Sequence, residues 1–117
     1  MGFGNGANLP SDYFLTGERI ERVLRDTIAH LHYRLGDDRA AIEALDALER
    51  RALIRAAHYE FRATLHERQG DLDQAVRDLE SYLRLRSRTV QYDEVAAETF
   101  DRIERLVEQG AQPSGGR

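Results

Sequence analysis

The chain writes one helical turn twice, and this repetition limits its fold more than any other feature. Displacing the sequence by 34 residues sets Ala29 on Ala63, Leu31 on Leu65, His32 on His66, Arg34 on Arg68 and Gly36 on Gly70. It also sets Asp37 on Asp71, Ala41 on Ala75, Leu45 on Leu79 and Arg50 on Arg84. These nine identities fall within the 22 positions from 29 to 50 without a gap, and Ile42 over Val76 is conservative. Two amphipathic helices can coincide at apolar positions by chance. A Gly-Asp pair recurring at the same phase is more specific, because Gly ends a helix in the left-handed conformation and Asp caps the next one. A fixed period of this length points to stacked helical hairpins.

The rest of the chain fits that frame. Thr16 is placed to cap a first helix, with Glu18 in its first turn and Ile20, Val23, Leu24, Thr27, Ile28, Leu31 and Leu35 on one face. A second helix follows Asp37 or Asp38, with the stripe Ala41, Ile42, Leu45, Leu48. A third carries Ala56, Tyr59, Ala63 and Leu65 up to Gly70. A fourth opens on Asp71 and Asp73 and carries Ala75, Val76, Leu79, Tyr82, Leu83 and Leu85. "RSRTVQ" reads as a connection. A fifth helix covers about 92–109, with Tyr92, Val95, Ala96, Phe100, Ile103, Leu106 and Val107 on one side and Gly110 at its end. Residues 1–15, rich in Gly and Asn, are expected to form a flexible arm whose Tyr13, Phe14 and Leu15 fold back on the first helix or dock on a partner. Residues 110–117 are expected to be a disordered tail. No segment reads as a strand, so the expected class is all-α.

The duplicated unit resembles the tetratricopeptide repeat, a 34-residue helix–turn–helix. The resemblance covers residues 22–55 and 56–89. The family's small residues are matched by Ala29 and Ala63 in the first helices and by Ala41 and Ala75 in the second, with Leu45 and Leu79 four residues on. The early aromatic is Tyr59 in one copy but Arg25 in the other, and the later one is replaced by His32 and His66. A leucine of the second copy is Arg62, and Leu53 and Ser87 stand where proline normally separates repeats. The resemblance implies antiparallel helix hairpins winding as an α–α superhelix. The fifth helix falls out of register, since Glu104 stands one period after Gly70, and suits a polar-backed capping helix over a domain of 16–109. Without Gly or Pro in "ALERRALIRAAHYEF", helices two and three could also fuse into one, as in a swapped dimer.

Composition narrows the chemistry. There is no cysteine, which removes disulfides and thiolate chemistry, and no lysine, which removes Schiff bases and any P-loop. All 17 basic residues are arginine, as in a GC-rich bacterial coding sequence. Net charge is −4 with acids and bases interleaved, an arrangement poor for nucleic acid; the small "RLRSR" patch with Arg77 and Arg84 is diluted by Asp78 and Glu80. No apolar run is long enough for a membrane span, and the opening residues match neither a secretory signal nor a myristoylation signal, so a cytoplasmic location is expected. His30 and His32 point to different helix faces; His58 shares a face with Arg62 and His66 with Gln69, and neither pair makes a carboxylate–histidine dyad. Asp37, Asp38, Asp71 and Asp73 lack the glutamate that closes a calcium loop. No hydrolase, metalloprotease or nucleotide motif occurs. The expectation is a non-enzyme with no catalytic residues, no metal and no cofactor.

The resemblance implies a protein–protein interaction module, an adaptor, scaffold or chaperone-like factor. Its first helices would line a concave groove for a partner peptide or helix. Carried over, the groove positions are Val23, Asp26, His30, Tyr33 and Arg34 from one copy and Ala57, Glu60, Thr64, Glu67 and Arg68 from the other. Some relatives clamp a terminal carboxylate there with lysine. Asp26 and Glu60 occupy lysine-type places here, so the groove should favour a basic or neutral segment with an apolar anchor near Val23 and Tyr33. The alternative is a self-assembling structural subunit that forms a homodimer through its exposed repeat face, because two repeats are few for units that rely on neighbours.

Overall fold

A computed structural model describes residues 16–86 and 93–112. Among them stand five helices and no strand: α1 Gly17–Arg34, α2 Asp38–Arg50, α3 Ala56–Arg68, α4 Leu72–Arg86 and α5 Glu94–Glu108. The protein is all-α, as expected. α1 with α2, and α3 with α4, form two antiparallel hairpins, and α5 lies against α4.

Both hairpin turns use the same local chemistry. Gly36 and Gly70 take φ of +82° and +80°, where a Cβ would be strained. In the first turn the Gly36 and Asp37 N–H groups donate to the Tyr33 and His32 carbonyls; in the second, Gly70 and Asp71 donate to Glu67 and His66. These 5→2 and 6→1 bonds satisfy the last carbonyls of each helix. The aspartate that follows each glycine caps the next helix: Asp37 accepts from the Ala40 N–H at 3.1 Å and Asp71 from the Gln74 N–H at 3.3 Å. Thr16 and Asp93 do the same for α1 and α5.

Helices two and three do not fuse. α2 ends in the same bonding pattern, with Ala52 and Leu53 donating to the Glu49 and Leu48 carbonyls, although the left-handed position is held by Ala52 at φ +58°. Leu53 is the reason the stop holds without Gly or Pro. Its side chain is buried, its N–H is bonded, and its carbonyl accepts from Arg22 Nε at 3.1 Å. A proline at this position would lose the N–H bond.

Two apolar clusters form the core. Ala29, Ala41, Ile42, Leu45, Leu48, Leu53 and Leu65 make one, with Phe61 at its edge; Ala63, Ala75, Val76, Leu79, Leu106 and Ala111 make the other. The paired small residues Ala29 with Ala41 and Ala63 with Ala75 are fully buried and let the helices of each hairpin approach closely. The expected tail begins too early at 110. Ala111 is buried beside Leu106, and the Gln112 N–H donates to Asp73 at 2.7 Å, so residues 110–112 belong to the fold. The expected arm over 1–15, the connection "RSRTVQ" apart from Arg86, and the tail from 113 lie outside the described residues.

α1 departs most from expectation. Its apolar face forms but is turned to solvent: Ile20, Leu24, Ile28 and Leu31 are all exposed, and Leu35 is 80% exposed. The inward face centres on Ala29 and is otherwise polar. Glu21 takes two hydrogen bonds from Arg51 and one from Arg25, all at 2.9 Å, Arg22 reaches the Leu53 carbonyl, and Asp26 meets His58. One small residue flanked by polar groups with waiting partners lets α1 sit close to its neighbours, and the larger apolar side chains are left outside.

Candidate functional site

The candidate groove residues divide into two clusters along the side of α1, α3 and α5. In the first, α1 meets α3. His58 is buried at the start of α3. Its Nδ1 accepts from the Arg55 N–H at 2.9 Å, which assigns the ring proton to Nε2, and Nε2 donates to Asp26 Oδ1 at 3.2 Å. His30 Nδ1 bonds the Asp26 carbonyl at 2.9 Å, and its ring stacks on Phe61 with centroids 4.5 Å apart. Tyr33 meets Phe61 edge-on at 5.5 Å, the Arg68 guanidinium lies 5.0 Å over the Tyr33 ring, and Arg68 Nε donates to Asp38 at 2.9 Å.

In the second cluster α3 meets α5. Arg102 donates to Thr64 Oγ1 at 3.1 Å and to Glu67 Oε1 at 3.0 and 3.3 Å. Beside it opens a cleft of about 350 Å³, lined by Glu60, Val95, Glu98, Thr99, Asp101, Arg102 and Arg105. None of the Glu60, Glu98 and Asp101 carboxylates accepts a hydrogen bond from another described residue, while Arg102 is spent on Glu67.

The ten carried-over positions therefore have different fates. Asp26, His30, Tyr33, Thr64, Glu67 and Arg68 are brought together, but each also holds the helices to one another. Glu60 is the one of the ten that lines the cleft. Val23, Arg34 and Ala57 are exposed and make no side-chain hydrogen bond, ion pair or ring contact among the described residues. Asp26 engages His58 through Oδ1 while its side chain stays partly exposed, and Phe61 and Arg68 lie against the partly exposed Tyr33 ring. Phe61, Glu98, Asp101 and Arg102 had not been singled out. Phe61 lay off the positions carried over, and the others lie on a helix outside the 34-residue register.

The histidines act mainly as structural groups. Burial pushes the His58 imidazole below its ordinary pKa against the opposing pull of Asp26, so the neutral ring is favoured. With Nδ1 taking a backbone proton and Nε2 giving its own to Asp26, neither nitrogen is left to act on a substrate. Burial likewise lowers His66, against the pull of Asp78 and Asp71. His66 lies 3.8 and 3.9 Å from those carboxylates, and its ring has no aromatic partner among the described residues. Among the described residues no three His, Asp or Glu side chains are grouped to hold a metal, and no helix is long and apolar enough to cross a membrane.

The deepest charged site lies behind the groove, at Arg62, the position where the tetratricopeptide resemblance implied leucine. Arg62 is only 3% exposed. Its Nε and Nη2 grip both oxygens of Asp78 at 3.0 and 2.9 Å, and Nη1 reaches Asp46 at 2.9 Å and Glu49 at 2.8 Å. Gln74 Nε2 adds a bond to Asp78 at 3.1 Å. α2, α3 and α4 are thus tied through one guanidinium.

Comparison with protein-family models, with curated proteins and with solved structures gave no match.

Proposed function

We propose that the chain is a cytoplasmic protein-interaction module, an adaptor, scaffold or chaperone-like factor, that binds a basic or neutral segment of another protein along α3 and α5. The cleft between these helices carries the reading. It is concave, Val95 is its apolar lining residue, and Glu60, Glu98 and Asp101 line it with carboxylates that accept no hydrogen bond from another described residue. Arg102 and Arg105 line the same cleft, so its three carboxylates exceed its cations by one, and a cationic side chain entering there gains charge-assisted hydrogen bonds to carboxylates that accept none from another described residue. The resemblance of the duplicated hairpin to the tetratricopeptide repeat supports the same role, because that family binds peptides on this side of its first helices. A catalytic role has less support, since the best-placed histidine has both nitrogens engaged.

The test is selection from a random peptide library on the immobilised chain and on the double variant Glu60→Arg, Glu98→Arg. The native chain should enrich arginine- and lysine-containing peptides, and the variant should lose them. No enrichment, or equal enrichment by both, refutes the reading. Asp26 is unsuitable for this test, because replacing it breaks the His58 contact and disturbs the fold as well as the groove.

A further inference from the structure

We infer that the outward apolar row of α1 is the contact surface of a homodimer, covered by the same row of a second copy. The row runs through Ile20, Leu24, Ile28, Leu31 and Leu35, and all five side chains are exposed. Among the described residues it belongs to neither apolar cluster, and α1 is anchored through the opposite face at Ala29. At these exposures the row presents on the order of 500 Å² of apolar surface, at the upper end of what a monomer normally shows. Two such rows together bury on the order of 1,000 Å², where specific interfaces begin.

The spacing identifies the occupant as a second copy. An antiparallel two-fold set between residues 27 and 28 pairs Ile20 with Leu35, Leu24 with Leu31 and Ile28 with Thr27 of the partner chain. The row therefore matches its own reverse, which is the self-complementarity that an isologous contact requires. Near the axis each residue approaches its own counterpart, so a charge there would repel itself. Thr27 and Ile28 stand there, both uncharged. The chain's own Tyr13, Phe14 and Leu15 are a poorer cover. They span only about 10 Å of chain, against a row about 22 Å long, and the most exposed residue, Leu35, is at its far end. The proposed cleft is lined by α3 and α5 and by no residue of α1, so such a dimer leaves it open.

Sedimentation equilibrium of the full chain from micromolar to hundred-micromolar concentration tests this. The expected mass is twice the 13.4 kDa of one chain, falling toward one chain on dilution. The variant Leu24→Glu, Leu31→Glu should be monomeric throughout with native helical circular dichroism, since both positions are exposed in the single chain. A native chain that is monomeric at every concentration, or a variant that stays dimeric, overturns the proposal. A second test does not depend on that variant folding. The chain has no cysteine, so Ile28→Cys should oxidise to a disulfide-linked dimer much faster than Arg39→Cys on exposed α2. Equal rates overturn the proposal.

Discussion

Replacing Arg62 with leucine, the residue the repeat pattern prefers there, should badly damage this protein. The guanidinium donates four hydrogen bonds to three carboxylates. Asp46 and Glu49 are about half exposed and can return to water. Asp78 cannot, as it is 1% exposed, and after the substitution it keeps only Gln74 as a hydrogen-bond donor. Breaking a buried ion pair from one side costs about 3–5 kcal/mol, because a charge stays buried without its partner. That is a fifth or more of the roughly 5–15 kcal/mol by which a domain is stable. With a urea dependence near ~1.5 kcal/mol per molar, the unfolding midpoint should fall by about 2–3 M. Urea titration followed by circular dichroism reads this directly. Adding Asp78→Leu removes the stranded charge and should restore most of the loss, since apolar replacements of buried pairs are often neutral or better. A single variant within about 1 kcal/mol of native, or a double variant no better than the single, would refute the assignment of α2, α3 and α4 to one buried charge.

Other expectations follow from the turns, the histidines and α5. Ala52→Gly removes the left-handed strain at φ +58° and should raise stability by about 0.5–1 kcal/mol after the greater freedom of glycine in the unfolded chain is subtracted; a lower urea midpoint would contradict it. His58 and His66 are both held below the ordinary histidine pKa by burial, so the unfolded chain binds more protons at mildly acid pH. Stability should be full above about pH 6.5 and decline as pH falls through the lower folded values. A second decline should begin below about pH 4.5, because Arg51 and Arg25 hold Glu21 down to about 2, and Arg86 holds Asp93 down to about 2. Urea midpoints that rise from pH 7.5 to 5.5 would refute the histidine placements. Arg102→Ala should cost about 1 kcal/mol and speed amide exchange in α5 while leaving α2 unchanged; uniform exchange across the chain would count against Arg102 as the tie between α3 and α5.

Most of the fold was legible because its signals are local. The Gly36–Asp37 and Gly70–Asp71 pairs specify helix end and helix start within a few bonds, and both turns form as their spacing implies. The end of α2 was harder to read. Ala52 adopts its conformation because Leu53, one residue on, is buried and bonded through both backbone groups, and a propensity scale does not see that. Periodicity showed that α1 has an apolar row but not which way the row faces. That depends on partners far along the chain, namely Arg51, Leu53 and His58, which wait for its polar side. Arg62 read as a departure from a repeat pattern because its three carboxylates lie on two other helices, 13 and 16 residues away. Glu60 alone among the ten groove positions faces the cleft, because the rest of that site comes from α5, outside the repeat.

The central claim is that a basic segment settles between α3 and α5, and two-dimensional amide NMR with a capped tetra-arginine peptide as probe tests it most directly. The predicted result is a set of saturable shifts at Glu60, Val95, Glu98 and Asp101 that weaken with salt and vanish in the Glu60→Arg, Glu98→Arg variant. No shift at millimolar peptide, or shifts centred elsewhere and unchanged in the variant, would contradict the account.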